Sequence, residues 1–247
     1  MKAGKNVTVR CVLWPFIAAK WRQDVKAFPL NAAHKELYFI IHAFVWRKLR
    51  RFPDLRECHD YNDKIQWLKL FDQDVKIINC TDKYKVREYV KERVGEQYLL
   101  DLLQVEDEFE NIQYRALPRR FVIKANNDSG SAFVVDDKAS ADWAAIGSRM
   151  RKARSGTFGW DGGEWAYSYI KPRILIEERI ECRGNRLPAD YKVHCVEGRV
   201  CWVQCITGRG AETTEYIVDP LGCPLGVQLD ENMRKGLDSK PQSSGAN

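Results

Sequence analysis

The residues best placed to do chemistry lie in Phe121 to Ser131, which reads Phe-Val-Ile-Lys-Ala-Asn-Asn-Asp-Ser-Gly-Ser. Phe121, Val122, Ile123 and the stem of Lys124 have strand character, and the run ends in a single cation before small polar residues. With one glycine and few bulky side chains, Asn126 to Ser131 can bring backbone N–H groups close to an anion, phosphate above all. The apolar run Ala132 to Val135 follows and Asp136-Asp137 closes it, so the unit reads as strand, polar loop and return strand. The lysine precedes the glycine and no Gly-Lys-Ser/Thr follows, which separates the stretch from the Walker motif. Taken alone, the same residues also describe an exposed hairpin with Lys124 in water. A second concentration is Ile174-Leu175-Ile176 running into Glu177-Glu178-Arg179-Ile180, a buried strand that emerges at two carboxylates. Solvated acids at a strand end are the alternative.

The elements around these stretches follow from periodicity and punctuation. Residues 1–33 show no clear period and read as an irregular or helical arm. A helix is expected over Lys35–Arg51, ended near Phe52-Pro53 because proline holds its predecessor extended. Ile65, Leu68 and Phe71 share one face of a short amphipathic helix over 62–71. Thr81 is the expected cap of a helix over Asp82–Val94 ended by Gly95, which puts Lys83 in its first turn. Tyr98 to Val105 is strand-like, Ser140 to Arg154 helical despite Gly147, and Gly156 to Trp165 a loop. Asp190–Val196 and Val200–Ile206 form a hairpin about Glu197-Gly198. From Gly208 to Gly226 the signal fades, and Asp238–Asn247 reads as a disordered tail.

At 247 residues and 45% hydrophobic content, the chain can bury a substantial core and is not disordered throughout. Residues 1–60 hold twelve Lys/Arg against five Asp/Glu, a net of +7, which leaves −1 for the remainder of the +6 total. Positive charge confined to one arm argues against nucleic acid as the partner of the body. A basic helix over 35–56 resting on an anionic membrane surface is one reading of Arg47, Lys48, Arg50 and Arg51; a core helix with a solvated basic end is the other. The run Cys11 to Ala19 imitates a signal peptide loosely and Pro15 interrupts it, while Leu37 to Trp46 is far short of the roughly 20 residues that span a bilayer. Eight cysteines contain no CxxC pair, which speaks against zinc. Cys195, Cys201 and Cys205 fall in apolar strand-like segments as small hydrophobes, which suits a reducing cytoplasm.

Six blocks in order resemble the TupA-like ATP-grasp family, linked to bacterial cell-surface polymer synthesis. They are Tyr61 to Leu70, Asp82 to Val90, Leu117-Pro118 with Phe121 to Lys124, Gly163-Glu164-Trp165, Ile170 to Glu177, and Asp190-Tyr191-Lys192 with Glu197-Gly198-Arg199. The resemblance implies an α+β fold of two lobes whose antiparallel sheets clasp a nucleotide. The expected organisation is a basic arm and helix over 1–60, an ATP-grasp-like domain over 61–226 and a tail over 227–247. It implies ATP and Mg2+ as cofactors, with Lys83 and Lys124 bracketing the phosphates and the N–H groups of Ser129, Gly130 and Ser131 holding their oxygens. Lys83 in a first helical turn would sit at the unfavourable dipole end, which a ligand would explain. Main-chain groups of Glu178 and Ile180 would pair with the base, with Glu177 beside them and Asp190 at the ribose. Arg173 and Arg209 would supply positive charge to the reaction.

This chain departs from the family pattern at several points. Asn127-Asp128 stands where the family usually has His-Gly, which would set a negative charge beside the phosphates. Gln204 to Arg209 replaces a more acidic segment, and the acidic strands that would hold magnesium do not occur before Asn247, so the C-terminal part reads as incomplete and the metal ligands as unassigned. The expected activity is ATP-dependent activation of a carboxylate as an acyl phosphate and its capture by an amine or similar nucleophile, with a cell-surface polymer precursor as acceptor. As the chain stands, turnover at a normal ligase rate is not expected, and the alternative is a non-catalytic nucleotide-binding or interaction module.

Overall fold

Two α-helices begin the fold, α1 (Ala3–Asp24) and α2 (Ala32–Leu49). The computed structural model describes residues 3–28, 30–156, 158–182, 187–208, 213–227 and 234–235. Arg209 and the segment 238–247 lie outside them. Leu13 and Ile17, four apart on α1, are buried against Leu37, Tyr38, Phe39 and Ile41 of α2, and the same cluster takes in Leu70 and Trp165. Two turns further along α1, Asp24 is buried too, where it accepts from the Tyr38 hydroxyl at 2.7 Å and from Arg56 Nε at 3.2 Å. Of the two forms expected for the arm the helical one stands, as a 22-residue helix with Pro15 inside it. Apolar residues of α2 pack in this core, and Arg47, Lys48 and Arg50 at its basic end are exposed.

Next in the chain come α3 (Tyr61–Phe71), α4 (Val75–Thr81) and α5 (Val86–Arg93). Asp60 caps α3 by accepting from the Asp63 N–H at 2.9 Å, and Asp74 caps α4 through the Lys76 N–H at 2.8 Å. Thr81 does not cap the following helix. Its hydroxyl donates back to the Ile77 carbonyl at 2.7 Å, so it closes α4, and the expected single helix over 82–94 is a turn followed by α5. Lys83 therefore stands in that turn, one residue past Asp82 at the C-terminal cap of α4, and the expected unfavourable dipole contact does not arise.

The first sheet is built from β1 (Leu102–Glu106), β2 (Phe121–Ala125), β3 (Phe133–Val135) and, after α6 (Trp143–Ser155), β4 (Ile174–Glu177), in the order β1-β4-β2-β3, with every pairing antiparallel. β1 is shorter than the expected strand because Glu96–Tyr98 winds into a 3₁₀ turn. Alternation puts Phe121 and Ile123 of β2 with Ile174 and Ile176 of β4 on one face, packed on Ile146 and Met150 of α6. Gly147 belongs to that contact: a Cβ there would come within 2.6 Å of the Phe109 ring. The opposite face presents Val122, Lys124, Leu175 and Glu177.

The chain divides into two compact units, residues 1–178 and 179–247, and all of the above belongs to the first. The second contains β5 (Asp190–Val196), β6 (Arg199–Thr207), β7 (Thr214–Val218) and β8 (Arg234–Lys235) in that order, antiparallel except for the parallel β7–β8 pair. Glu197 and Gly198, both at positive φ (49° and 76°), make the tight turn between β5 and β6. β7 was not legible because one of its buried positions is Glu215, paired there with Gln204 Nε2. Cys205 is buried as expected, but Cys195 and Cys201 are exposed: β7 pairs with Val203–Thr207, and among the described residues no third strand pairs with the outer end of the β5–β6 hairpin. The architecture is α+β with two sheets. Among the described residues no helix is long and apolar enough to cross a membrane.

Candidate functional site

The polar face of the first sheet ends at the loop 126–131, and one residue ties that loop to its surroundings. Asn126 is fully buried. Its side-chain amide donates to Asp82 Oδ1 at 2.9 Å and to the Lys171 carbonyl at 3.0 Å, and its Oδ1 accepts from the Arg173 N–H at 2.6 Å. Its backbone N–H donates to the Arg173 carbonyl, and its carbonyl accepts from the Lys83 N–H. Three segments far apart in sequence, Asp82-Lys83, the loop and Lys171 to Arg173, thus meet at a single side chain whose polar groups are all used. Asp82 also accepts from the Tyr84 N–H at 2.8 Å, which shapes the turn that holds Lys83.

Around this bracket stand the expected cations. Lys83 Nζ donates to the Asp128 carbonyl oxygen, and Lys124 Nζ pairs with Glu177 Oε1 across the sheet. Register explains the second pair: Lys124 lies opposite Leu175 and Glu177 opposite Val122, so the two are diagonal neighbours on one face. Burial pushes the Lys83 ammonium below the ordinary lysine range, and Lys124 adds to that push while Asp128, Asp82 and Glu177 oppose it. Lys83, Lys124 and Glu177 therefore act on one another electrostatically. The Arg173 guanidinium lies 4.8 Å over the Tyr84 ring, beside Lys83, with Nε 3.5 Å from Asp107.

Within the loop, Asp128 has a second partner besides the Lys83 charge that it favours. Its carboxylate is turned inward, where it accepts from the Ser131 hydroxyl, and that same oxygen of Ser131 accepts from the Ala125 N–H at 3.0 Å. Asp128 thus orders the loop, while its carbonyl meets Lys83. Ser129 and Gly130 are exposed at the crown, and Ser131 is buried in the loop's base. The Glu178 N–H donates to the Asp101 carbonyl at 3.0 Å, extending the β1–β4 pairing by one bond, and its side chain is exposed. Ile180 and Asp190 belong to the second unit, Ile180 exposed and Asp190 at the start of β5 opposite Ile206.

Asn126 and Asp82 are the organising residues that sequence reasoning missed, and nothing in a separation of 44 residues could have joined them. A polyphosphate fits the site. Lys83 is a desolvated cation that gains from a polyanion, and it flanks an exposed Ser-Gly crown. Asn127 Oδ1 is buried with no hydrogen-bond partner among the described residues, which suits a ligand that also brings a hydroxyl or amino donor. For a divalent cation the fit is poor: among the described residues no group of three or more His, Cys, Asp or Glu could hold a metal.

A family model described as TupA-like ATPgrasp matches residues 63–230, which includes Lys83, the Lys124 hairpin, Arg173 and β4 to β7. No curated protein and no solved structure matches the chain. With more than half of its length under that match, the chain belongs to the TupA-like ATP-grasp family.

Proposed function

We propose that the chain binds ATP on the Lys83 and Lys124 face of the first sheet and serves as a carboxylate–amine ligase of bacterial cell-surface polysaccharide biosynthesis. The observation that carries the nucleotide part is the meeting at Asn126 of the Asp82-Lys83 turn, the 126–131 loop that follows Lys124, and Lys171 to Arg173. Both ammonium groups already have protein acceptors, so phosphate oxygens would enter by exchange for the Asp128 carbonyl and by sharing Lys124 with Glu177. Arg173, fixed through its backbone by Asn126, adds a cation whose charge is half balanced by Asp107. In the ligase reaction a carboxylate oxygen attacks the γ-phosphorus, the bond to ADP breaks, and ADP leaves with the electron pair. An amine then displaces phosphate from the acyl carbon. The lysines neutralise charge as it shifts to the leaving ADP, and the loop excludes water. No step is derived through magnesium, since the described residues assemble no ligand set for it.

A nucleotide-binding module without turnover is the second reading. Calorimetry tests the shared part. Lys83→Ala, which breaks no ion pair, is expected to lower ATP affinity by about 1.5–3 kcal/mol, the worth of a charge-assisted contact. Equal affinity in wild type and variant sinks the nucleotide reading. ADP release stimulated by a carboxylate and an amine, and abolished in Lys83→Ala, would then select the ligase over the module.

A further inference from the structure

Over Leu13 to Ala19, α1 is apolar on every side. Leu13 and Ile17 turn into the helical core, whereas Trp14, Pro15, Phe16 and Ala19 are exposed. Trp14 is 52% exposed and Phe16 63%, on the side where a surface helix ordinarily carries polar and charged residues. The Trp14 ring is held there by Phe39 of α2, with ring centroids 4.1 Å apart. A helix that is apolar all round is buried in a core or meets a membrane, and the outer side of this one is not in the core. The run is far shorter than the roughly 20 residues that span a bilayer. It is long enough to enter the headgroup level, where tryptophan and phenylalanine are favoured.

Charge decides what such a surface can meet. Over residues 3–50, nine Lys/Arg stand against two Asp/Glu, a net of +7. One of those acids, Asp24, is buried and taken up by Tyr38 and Arg56, which leaves Glu36 as the exposed one. Arg22, Lys26, Lys35, Arg47, Lys48 and Arg50 are all exposed. Two copies of this surface would repel each other, so a second copy of the chain is a poor occupant. A nucleic acid would answer the charge, but Pro15, Phe16 and Ala19 offer no side-chain donor to its phosphates. An anionic bilayer answers both features, with phosphates for the cations and an interface for the aromatic rings.

We propose that α1 and α2 form a docking surface for an anionic phospholipid bilayer, with Phe16 and the exposed part of Trp14 at headgroup level and the basic residues of both helices against lipid phosphates. None of these residues belongs to the Lys83 and Lys124 face, so the proposal stands or falls apart from the nucleotide reading. Co-sedimentation of the full chain with phosphatidylcholine vesicles, with and without phosphatidylglycerol, tests it. Binding to the mixed vesicles is expected to be stronger by about tenfold or more and to weaken as salt is added. Phe16→Ser is expected to weaken it by about tenfold, and Arg22→Glu combined with Lys48→Glu by about as much. All three side chains are exposed, so urea midpoints should stay at the wild-type value and separate lost docking from lost folding. Failure to bind the mixed vesicles, equal binding to both compositions, or wild-type binding by Phe16→Ser overturns the proposal. Two further results would also overturn it. A dimer in vesicle-free solution that Phe16→Ser dissolves would give the surface to a second copy. Duplex DNA bound more tightly than the mixed vesicles, and equally by Phe16→Ser, would give it to nucleic acid.

Discussion

The side-chain amide of Asn126 donates to Asp82 Oδ1 at 2.9 Å, and this bond joins the turn that carries Lys83 to the loop that follows Lys124. Neither residue is a phosphate ligand in the reading above, yet both decide where the ligands stand. Asn126→Ala removes three side-chain bonds and leaves the part-buried Arg173 N–H and Lys171 carbonyl without that partner. Stability is expected to fall by about 2–4 kcal/mol, measured by urea unfolding, because each unsatisfied buried group costs roughly 1–3 kcal/mol. ATP affinity should fall as well, since Lys83 loses its frame. Wild-type stability in this variant would remove Asn126 from its organising role.

Lys124 and Glu177 are both mostly buried in their ion pair, at 21% and 10% side-chain exposure. Lys124→Met alone strands a carboxylate and is expected to cost about 3 kcal/mol. The double variant Lys124→Met with Glu177→Gln should recover most of that stability without recovering nucleotide binding. Recovery of both would make the pair structural and nothing more.

Asp128→Gly tests which way the carboxylate acts. A charge facing phosphate would give tighter ATP on removal. The inward bond to Ser131 instead predicts a looser loop and ATP binding weakened by about 1–2 kcal/mol, with Asp128→Asn near wild type because its amide oxygen can still accept. Tighter binding by Asp128→Gly in calorimetry would return the acid to the phosphate side.

His42 sets an acid limit on the helical layer. It is fully buried, stacked on Tyr38, with Nδ1 2.8 Å from the Tyr38 carbonyl, and burial pushes its pKa down from 6.5 to about 4. The folded value lies below the unfolded one, so the unfolded chain binds the proton first. Stability is complete above about pH 6.5 and is lost as pH falls toward 4, by about 3 kcal/mol from this residue. Urea midpoints at pH 7.5 and 4.5 should show that loss in wild type and a smaller one in His42→Phe. Equal losses would acquit His42.

Gly147→Ala sets two known magnitudes against each other. Helix propensity favours alanine by about 1 kcal/mol, whereas a Cβ 2.6 Å from the buried Phe109 ring overpacks the core at a cost of about 1–3 kcal/mol. Net destabilisation is expected, relieved when Phe109→Leu is added. A stabilised single variant would show that the ring yields freely.

Local pattern by itself determined the Lys124 hairpin, α3, the buried β4 strand and the Glu197-Gly198 turn, because each rests on periodicity or turn chemistry among neighbours a few residues apart. Tertiary structure alone decided the rest. β7 went unread because it hides a carboxylate, Glu215, in its buried face, and only a distant partner such as Gln204 makes that position tolerable. Thr81 could cap a helix or close one, and the choice fell to the Ile77 carbonyl and to Asp82, which Asn126 holds from 44 residues away. The direction of the Asp128 carboxylate was equally open in sequence, since charge identifies what a side chain can attract, while the hydroxyl of Ser131 and the Lys83 ammonium decide where it points.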